Sequence, residues 1–232
     1  MTVEYRPTSL YQRFLATLQS WENSVGRSAR RKLKRAYAPR VLAAFDARLA
    51  EIGPGDIALD FGANVGRFTR KLAATGAAVH AFEPDPHTFV RLQAAVGALK
   101  NVHLHQVAVG ATTGTVALHR ARQDRHGQLS EMSSVVFTHS RHCSAATVTV
   151  EQRAFKDVVN GFDRPVALIK MDIEGSEFDL LREVFADPLT YRFEALFVET
   201  HESAAVHWVP AIDSMRRRAA VLSDQRIDLF WP

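Results

Sequence analysis

Cysteine is nearly absent from this chain: Cys143 is the only one in 232 residues. That excludes an intrachain disulfide and any zinc site built on several cysteines. Long apolar runs are missing too, and none approaches the roughly 18 residues of a membrane span. The opening residues, MTVEYRPTSLYQRF, lack the apolar core of a signal peptide. The expected compartment is therefore the reducing cytoplasm. Acids are missing from one stretch: Arg27 to Arg40 holds seven Lys or Arg and no Asp or Glu. The net charge of +4 thus resides in this arm, since the other 22 basic residues face 25 acidic ones. A body that is mildly acidic outside one arm is not a nucleic-acid reader, whose whole binding face is basic.

What remains is ordinary for a globular protein, with 47% hydrophobic and 23% charged residues. Leu10, Phe14, Leu18 and Trp21 recur at helical spacing behind a capping Ser9, and Gly26 is expected to break that helix. A second helix is expected from about Pro39 to Glu51. Residues 1–54 then form a helical extension with a basic arm, and 55–232 a single α/β domain. In that domain apolar strands (Ile57 to Asp60, Val79 to Phe82, Val102 to Val107) alternate with helices from Arg67 to Ala74 and from Pro86 onward, the latter capped by Asp85. The pattern is interrupted near 110–153 by shorter strands at Thr115 to His119, Ser134 to Phe137 and Thr147 to Glu151. This reads as an inserted, loop-bearing segment. It resumes with Val166 to Met171, a helix from Ser176 to Phe185, a strand from Ala195 to Val198, a helix near Ala211 to Ala219, and a terminal strand near Ile227 to Phe230.

Near-continuous apolar strands separated by helices imply a parallel sheet covered on both faces, with ligands at the carboxyl ends of the strands. The polar clusters follow strands: Asp60 to Gly66, Glu83, Asp172 to Glu174, and Glu199 to His201. The turn Asp60-Phe61-Gly62-Ala63-Asn64-Val65-Gly66 joins a strand to a helix, and Glu83 stands at the tip of the next strand, where it can accept both hydroxyls of a ribose. A dinucleotide turn reads G-x-G-x-x-G and brings a pyrophosphate to a helix N-terminus. Here the spacing is G-x-x-x-G behind an acid, which suits a sulfonium and ammonium better than a phosphate. The sequence therefore favours S-adenosylmethionine over a nicotinamide dinucleotide.

The order DFGANVG, FEPDP, IKMDIEGSE and FVETHE closely resembles the FkbM-like family of S-adenosylmethionine-dependent methyltransferases, over about Ile57 to His201. The resemblance implies a class I methyltransferase (Rossmann-like) three-layer sandwich with a mostly parallel, roughly seven-stranded sheet. It implies methyl transfer, usually to a hydroxyl oxygen of a sugar, glycan or secondary metabolite. Asp60, Gly62, Ala63, Asn64 and Gly66 would line the methionine end of the cofactor, Glu83 and Pro84 the ribose, Ala108 and Val109 the adenine, with Asp172 beside them. Ser133 and Ser134 match a serine pair of the family's middle segment, which implies substrate contact together with Glu174 and His201. Members often continue well beyond the last motif, whereas this chain stops about thirty residues later, so the final antiparallel strands are expected to be short or rearranged.

Chemically, an alcohol is a weak nucleophile and needs a base. His201 is the natural candidate; Asp172, Glu174 and Glu199 are the others, and Lys170 is a candidate to orient or polarise the substrate. No resident metal is expected, and Mg²⁺ on Asp172, Glu174 and Glu199 is the alternative. His103, His105, His119, His139 and His142 lack zinc-ligand spacing. The plain reading of each acid is an ion pair with a nearby Lys or Arg, and that of Glu174 to Glu177 a helix start favoured by the dipole. Residues 27–40 read as a solvated helix face, as a contact with an anionic membrane at its inner face, or as a site for an acidic partner such as a carrier-linked substrate. Homodimerisation through the first helix is a further expectation. Two other functions stay open: a non-catalytic S-adenosylmethionine-binding adaptor and a nicotinamide oxidoreductase.

Overall fold

A computed structural model describes residues 7–19, 21, 23–121, 143–202, 206–222 and 226–232. Two helices open the chain, α1 (Leu10–Leu18) and α2 (Ser24–Leu49). Then come β1 (Ile57–Phe61), α3 (Arg67–Ala73), β2 (Ala78–Phe82), α4 (Pro86–Val96) and β3 (Val102–His105). β4 (Ala108–Gly110), β5 (Gly114–Ala121), β6 (Cys143–Ala154) and α5 (Phe155–Asn160) follow. The chain closes with β7 (Leu168–Met171), α6 (Glu177–Ala186), β8 (Ala195–Val198), α7 (Val209–Ala219) and β9 (Arg226–Asp228).

Six strands form the central sheet in the order β3-β2-β1-β7-β8-β9, each pair parallel. Counted within this sheet the order is 3-2-1-4-5-6, that of a doubly wound nucleotide-binding fold with its switch point between β1 and β7. β1, β7 and β8 are buried at every position, as strands covered on both faces must be. The expected α/β sandwich is therefore present, with six described strands where roughly seven were expected. The last strand, β9, runs parallel to β8, and no antiparallel strand joins this sheet among the described residues.

Two further expectations are corrected. Val102 to Val107 is not one strand: the chain leaves the main sheet at Gln106 and enters a second sheet, β4-β6-β5, in which β5 and β6 pair antiparallel. This smaller sheet holds the described strands of residues 108–154. The strand expected at Ser134 to Phe137, with Ser133, Ser134, His139 and His142, lies outside the described residues. Nor does Gly26 end a helix. It is the third residue of α2, whose N-cap Asn23 accepts hydrogen bonds from Val25 and Gly26 at 3.0 Å each. A Cβ on Gly26 would stand 1.9 Å from the Trp21 carbonyl oxygen, so the tight turn between α1 and α2 requires its absence.

The basic arm is thus the N-terminal half of a 26-residue helix, continuous through Pro39. Pro39 has no N–H for the Arg35 carbonyl, a loss that an isolated helix would resist. Packing holds the helix together instead. Ala29, Leu33, Tyr37, Val41 and Phe45 recur every fourth residue and are all buried. Phe45 meets Phe197 at 5.2 Å and Trp231 at 4.6 Å between ring centroids, over the sheet residues Ala58 and Leu168. Burying Val41 and Phe45 stabilises by about 1.5–3 kcal/mol each. At the C-terminal end Arg48 bonds the Ala167 carbonyl and pairs with Glu194. α1 is less committed: Leu15 is buried against α2, while Leu10, Phe14 and Trp21 are exposed. No helix among the described residues is long and apolar enough to cross a membrane.

Candidate functional site

The polar clusters gather at the carboxyl end of the sheet, in two groups. The first lies at β1 and β2. Asp60 is fully buried; its Oδ2 accepts from Thr69 Oγ1 at 2.6 Å and its Oδ1 faces Lys170 Nζ at 3.3 Å. Lys170 also donates to the Gly62 carbonyl at 2.8 Å. Burial opposes the charge on Lys170, but Asp60 and Asp172 outweigh it and raise its pKa. Asp60 therefore holds the turn.

The turn residues are used up in a similar way. Gly62 and Ala63 donate their N–H groups to the Phe82 carbonyl at 3.1 and 2.9 Å, and Gly66 donates to Ala63 at 2.8 Å. Asn64, at φ 49°, donates to Glu83 Oε2 at 3.0 Å. Gly62 and Gly66 clear space for the protein itself. A Cβ on Gly62 (φ +72°) would lie 1.7 Å from the Asp172 carbonyl oxygen, and one on Gly66 would meet Val96 and Leu92.

Glu83 is 7% exposed, and its other oxygen accepts from the Asp85 N–H at 3.0 Å. Burial lifts its pKa to about 7 against those two backbone donors. Asp85 in turn caps α4 through His87 and Thr88, as expected. Pro84 is half-buried beside it, while Ala63, Ala108 and Val109 are buried, the last two on β4.

The second group follows β7 and β8, which are paired neighbours. The Glu199 N–H donates to the Met171 carbonyl at 2.8 Å, which sets Asp172 and Glu199 side by side. His201 sits among three acids. Its Nδ1 is 2.9 Å from Glu177 Oε1, and its Nε2 is 3.2 Å from Glu174 Oε2 and 3.7 Å from Asp172 Oδ1. Burial disfavours its charge, but Glu177, Glu174 and Asp172 prevail and raise its pKa to about 10. Glu174 is a non-glycine residue at φ 50°, and its pKa is raised to about 7 by burial against the pull of His201. Asp172 Oδ1 is buried without a hydrogen bond among the described residues. Both groups thus combine strained backbone with a carboxylate oxygen that lacks a hydrogen bond among the described residues, Asn64 and Asp60 Oδ1 in the first, Glu174 and Asp172 Oδ1 in the second, and such places are candidates for function.

Lys170 bridges the groups, 3.3 Å from Asp60 and 3.9 Å from Asp172. Ligand atoms of Asp172, Glu199 and His201 come within 4.8 Å of one another, so His201 stands where Glu174 was expected in the candidate Mg²⁺ set. Both carboxylates already face an ammonium, since Lys34 lies 2.9 Å from Glu199 and Lys170 lies near Asp172. The neighbourhood already carries the positive charge that a metal would supply. His103 and His105 lie on β3 and His119 on β5, as strand residues.

Three contributors escape a reading of the sequence. Glu177, read as a helix start, is fully buried, and it accepts from Gly175 N–H, His201 N–H and His201 Nδ1. Its signal was an acid three residues after Glu174. Thr69 sits nine residues beyond Asp60, in the first turn of α3, on the face turned to β1. Lys34 lies 165 residues from its partner, and no spacing could have joined them.

A Rossmann-type sheet with a pinned acid at the tip of β2 defines a nucleoside-binding α/β protein. The Methyltransferase FkbM domain model matches residues 60–220, most of the chain, and the chain belongs to that family. No curated protein matches it. Among solved structures, it is similar to precorrin 8w decarboxylase of Methanobacterium thermoautotrophicum at 17% identity, covering 47% of this chain and 88% of that one, with a TM-score of 0.25. A SAM-dependent methyltransferase of Leishmania major matches at 18% identity over 45% and 49% of the two chains, TM-score 0.24. DhpI, solved with SAH, matches at 12% over 67% and 87%, TM-score 0.23. Scores this low carry no argument; the sheet order and the family match do.

Proposed function

We propose that the chain binds S-adenosylmethionine at the ends of β1 and β2 and methylates a hydroxyl oxygen of a sugar or small metabolite held at β7 and β8. The observation behind this reading is a juxtaposition: a carboxylate pinned at the tip of β2, and across the Lys170 bridge a carboxylate that titrates near neutrality. The donor set suits the cofactor. Glu83 is oriented to accept ribose hydroxyls, and the cluster around Asp172 is acidic where a sulfonium and ammonium need counter-charge. It does not suit a pyrophosphate, because the N–H groups of Gly62, Ala63, Asn64 and Gly66 are already spent inside the protein. That argues against the nicotinamide oxidoreductase. The adaptor reading is disfavoured by the second cluster, whose strain and buried charge a binding module would not need.

When bound, the cofactor supplies an electrophilic methyl carbon with a neutral thioether as leaving group. The residues of this chain position the acceptor and manage its proton. His201 is held as an imidazolium by Glu177 and cannot itself accept a proton at neutral pH. Glu174, 3.2 Å from that imidazolium, can. In this reading Glu174 Oε takes the hydroxyl proton as the oxygen gains its methyl group, His201 fixes the carboxylate, and Asp172 accepts a hydrogen bond from the acceptor.

Titration calorimetry with S-adenosylmethionine and, separately, with NADH tests the cofactor. Binding of the sulfonium compound alone, weakened about tenfold or more in Glu83→Ala, is expected. A folded protein that binds NADH, or neither compound, rejects the reading. Across a panel of sugar acceptors, Glu174→Gln is expected to lower turnover about 10²-fold or more and to abolish the rise in rate through pH 7.

A further inference from the structure

The basic half of α2 reaches the site. A cavity of about 290 Å³ opens beside His201 and Glu199, and its other wall is Arg30, Arg31, Lys34 and Arg35. These positions are i, i+1, i+4 and i+5, so they lie on one face of the helix. They flank the buried stripe of Ala29, Leu33 and Tyr37 that seats the helix and thereby fixes them.

The charges in this cavity do not balance. Glu199 is taken by Lys34 at 2.9 Å, and Glu202, also in the lining, by Arg216 at 2.8 Å. Arg30, Arg31 and Arg35 have no carboxylate within ion-pair distance among the described residues, and Glu202 and Asp213 act on Arg30 only from farther off. Arg31 and Arg35 are exposed, but Arg30 is only 5% exposed. Its Nη1 donates to the carbonyls of Gln19 and Trp21, and its Nε and Nη2 find no hydrogen-bond partner among the described residues. A buried guanidinium with an idle edge is costly, and that edge is the fork that holds two oxygens of an oxyanion. A carboxylate would answer one of the three surplus cations. A phosphate ester, with up to two charges and three oxygens, answers more.

We propose that the acceptor carries a phosphate group, bound in this cavity by Arg30, Arg31 and Arg35, with its hydroxyl presented past Glu199 and His201 to Asp172 and Glu174. The volume lies at the lower edge of ligand pockets, about 300 Å³, enough for a phosphate and a sugar-sized moiety. This rests on the methyltransferase reading above and supplies its substrate class. The phosphate could belong to a soluble ester or to a lipid headgroup; the chemistry at α2 is the same.

The test is titration calorimetry at low salt with inorganic phosphate, glucose 1-phosphate and glucose, on wild type and the double variant Arg31→Ala/Arg35→Ala. Both side chains are exposed, so the variant keeps its fold. Cosedimentation with phosphatidylcholine vesicles, with and without phosphatidic acid, forms the second arm. Phosphate and glucose 1-phosphate are expected to bind where glucose does not, about tenfold or more weakly in the variant and more weakly in high salt. Binding confined to phosphatidic acid vesicles and lost in the variant assigns the phosphate to a lipid. Absence of both, or equal binding by wild type and variant, overturns the proposal. S-adenosylmethionine affinity is measured alongside. If it persists without phosphate binding, only this proposal falls; if phosphate binds without it, the methyltransferase reading falls and the cavity stands as a phosphate site without an acceptor role.

Discussion

The ends of β1 and β2 and the ends of β7 and β8 hold similar residues in opposite states. At β1 and β2 each acid has been given a partner by the protein. Asp60 has Thr69 and Lys170, and Glu83 has two backbone N–H groups. At β7 and β8 acids outnumber cations: Asp172, Glu174, Glu177 and Glu199 surround His201, with Lys170 and Lys34 at the margins. The first end is a mould closed within the protein. The second holds a surplus of acid, which in the proposed reaction takes up the substrate proton. Both place a glutamate near pKa 7, and burial is the main cause at each. Asp85 alone adds repulsion at Glu83, whereas Asp172, Glu199 and Glu177 together add it at Glu174. In the proposed reaction the proton goes to the larger cluster, where its uptake relieves repulsion from several acids.

The largest expected effect breaks the bridge between the two ends. Lys170→Met leaves Asp60, fully buried, facing no cation. Removing one partner of a buried pair costs about 3–5 kcal/mol, read as a shift in the denaturant midpoint. A cost below about 1 kcal/mol would show that Asp60 does not need its cation, and the first end would no longer count as a charge-balanced mould.

A smaller effect sharpens the contrast at the second end. Glu177→Gln keeps an acceptor for Gly175 or His201 but removes the charge, at about 1–3 kcal/mol. The pH dependence has a definite sign. His201 has its pKa raised from 6.5 to about 10, so its contribution to stability is full below about pH 6.5 and is lost as pH rises through about 10. The gap between wild type and Glu177→Gln should therefore be widest near pH 6 and close toward pH 10. Carbon-detected NMR of the His201 ring should show its pKa falling in the variant while the Glu83 carboxyl titrates unchanged. An unmoved His201 would remove Glu177 as the anchor of the second end.

Much of this arrangement was legible in the sequence. Apolar runs gave the strands, and Gly62, Gly66, Asp85 and Pro86 gave the turns, because strand period, caps and glycine conformations are local properties. The acids at the carboxyl ends of β1, β2, β7 and β8 could be placed for the same reason. Other features were misread although their signal was present. Gly26 and Pro39 are helix breakers by propensity, yet the four-residue repeat from Ala29 to Phe45 carries one helix across Pro39, and burial outweighs the lost hydrogen bond. The division of Val102 to Gly110 between two sheets was not legible, since both halves suit a strand and only β6, more than thirty residues on, draws the second half away. Nor was the charge on His201, which requires two acids from the loop after β7 and one from α6 to close around a ring carried by the loop after β8.

The smallest expected effect concerns the contact that neither end explains. Lys34 comes from α2 to meet Glu199, with side chains 17% and 25% exposed. Such a partly exposed pair is worth about 1 kcal/mol or less, so Lys34→Ala should barely move the unfolding midpoint. What it should change is local. Glu199 loses its cation and adds its charge to the cluster that already lifts Glu174, so the Glu174 carboxyl should titrate at higher pH while Glu83 stays where it was. Carboxyl-detected NMR of both residues reads this directly. A shift confined to Glu174 makes α2 a working wall of the second end rather than an appended helix. Equal shifts at both glutamates would mean that the substitution disturbs the whole sheet edge, and the separation of mould from acid surplus would fail.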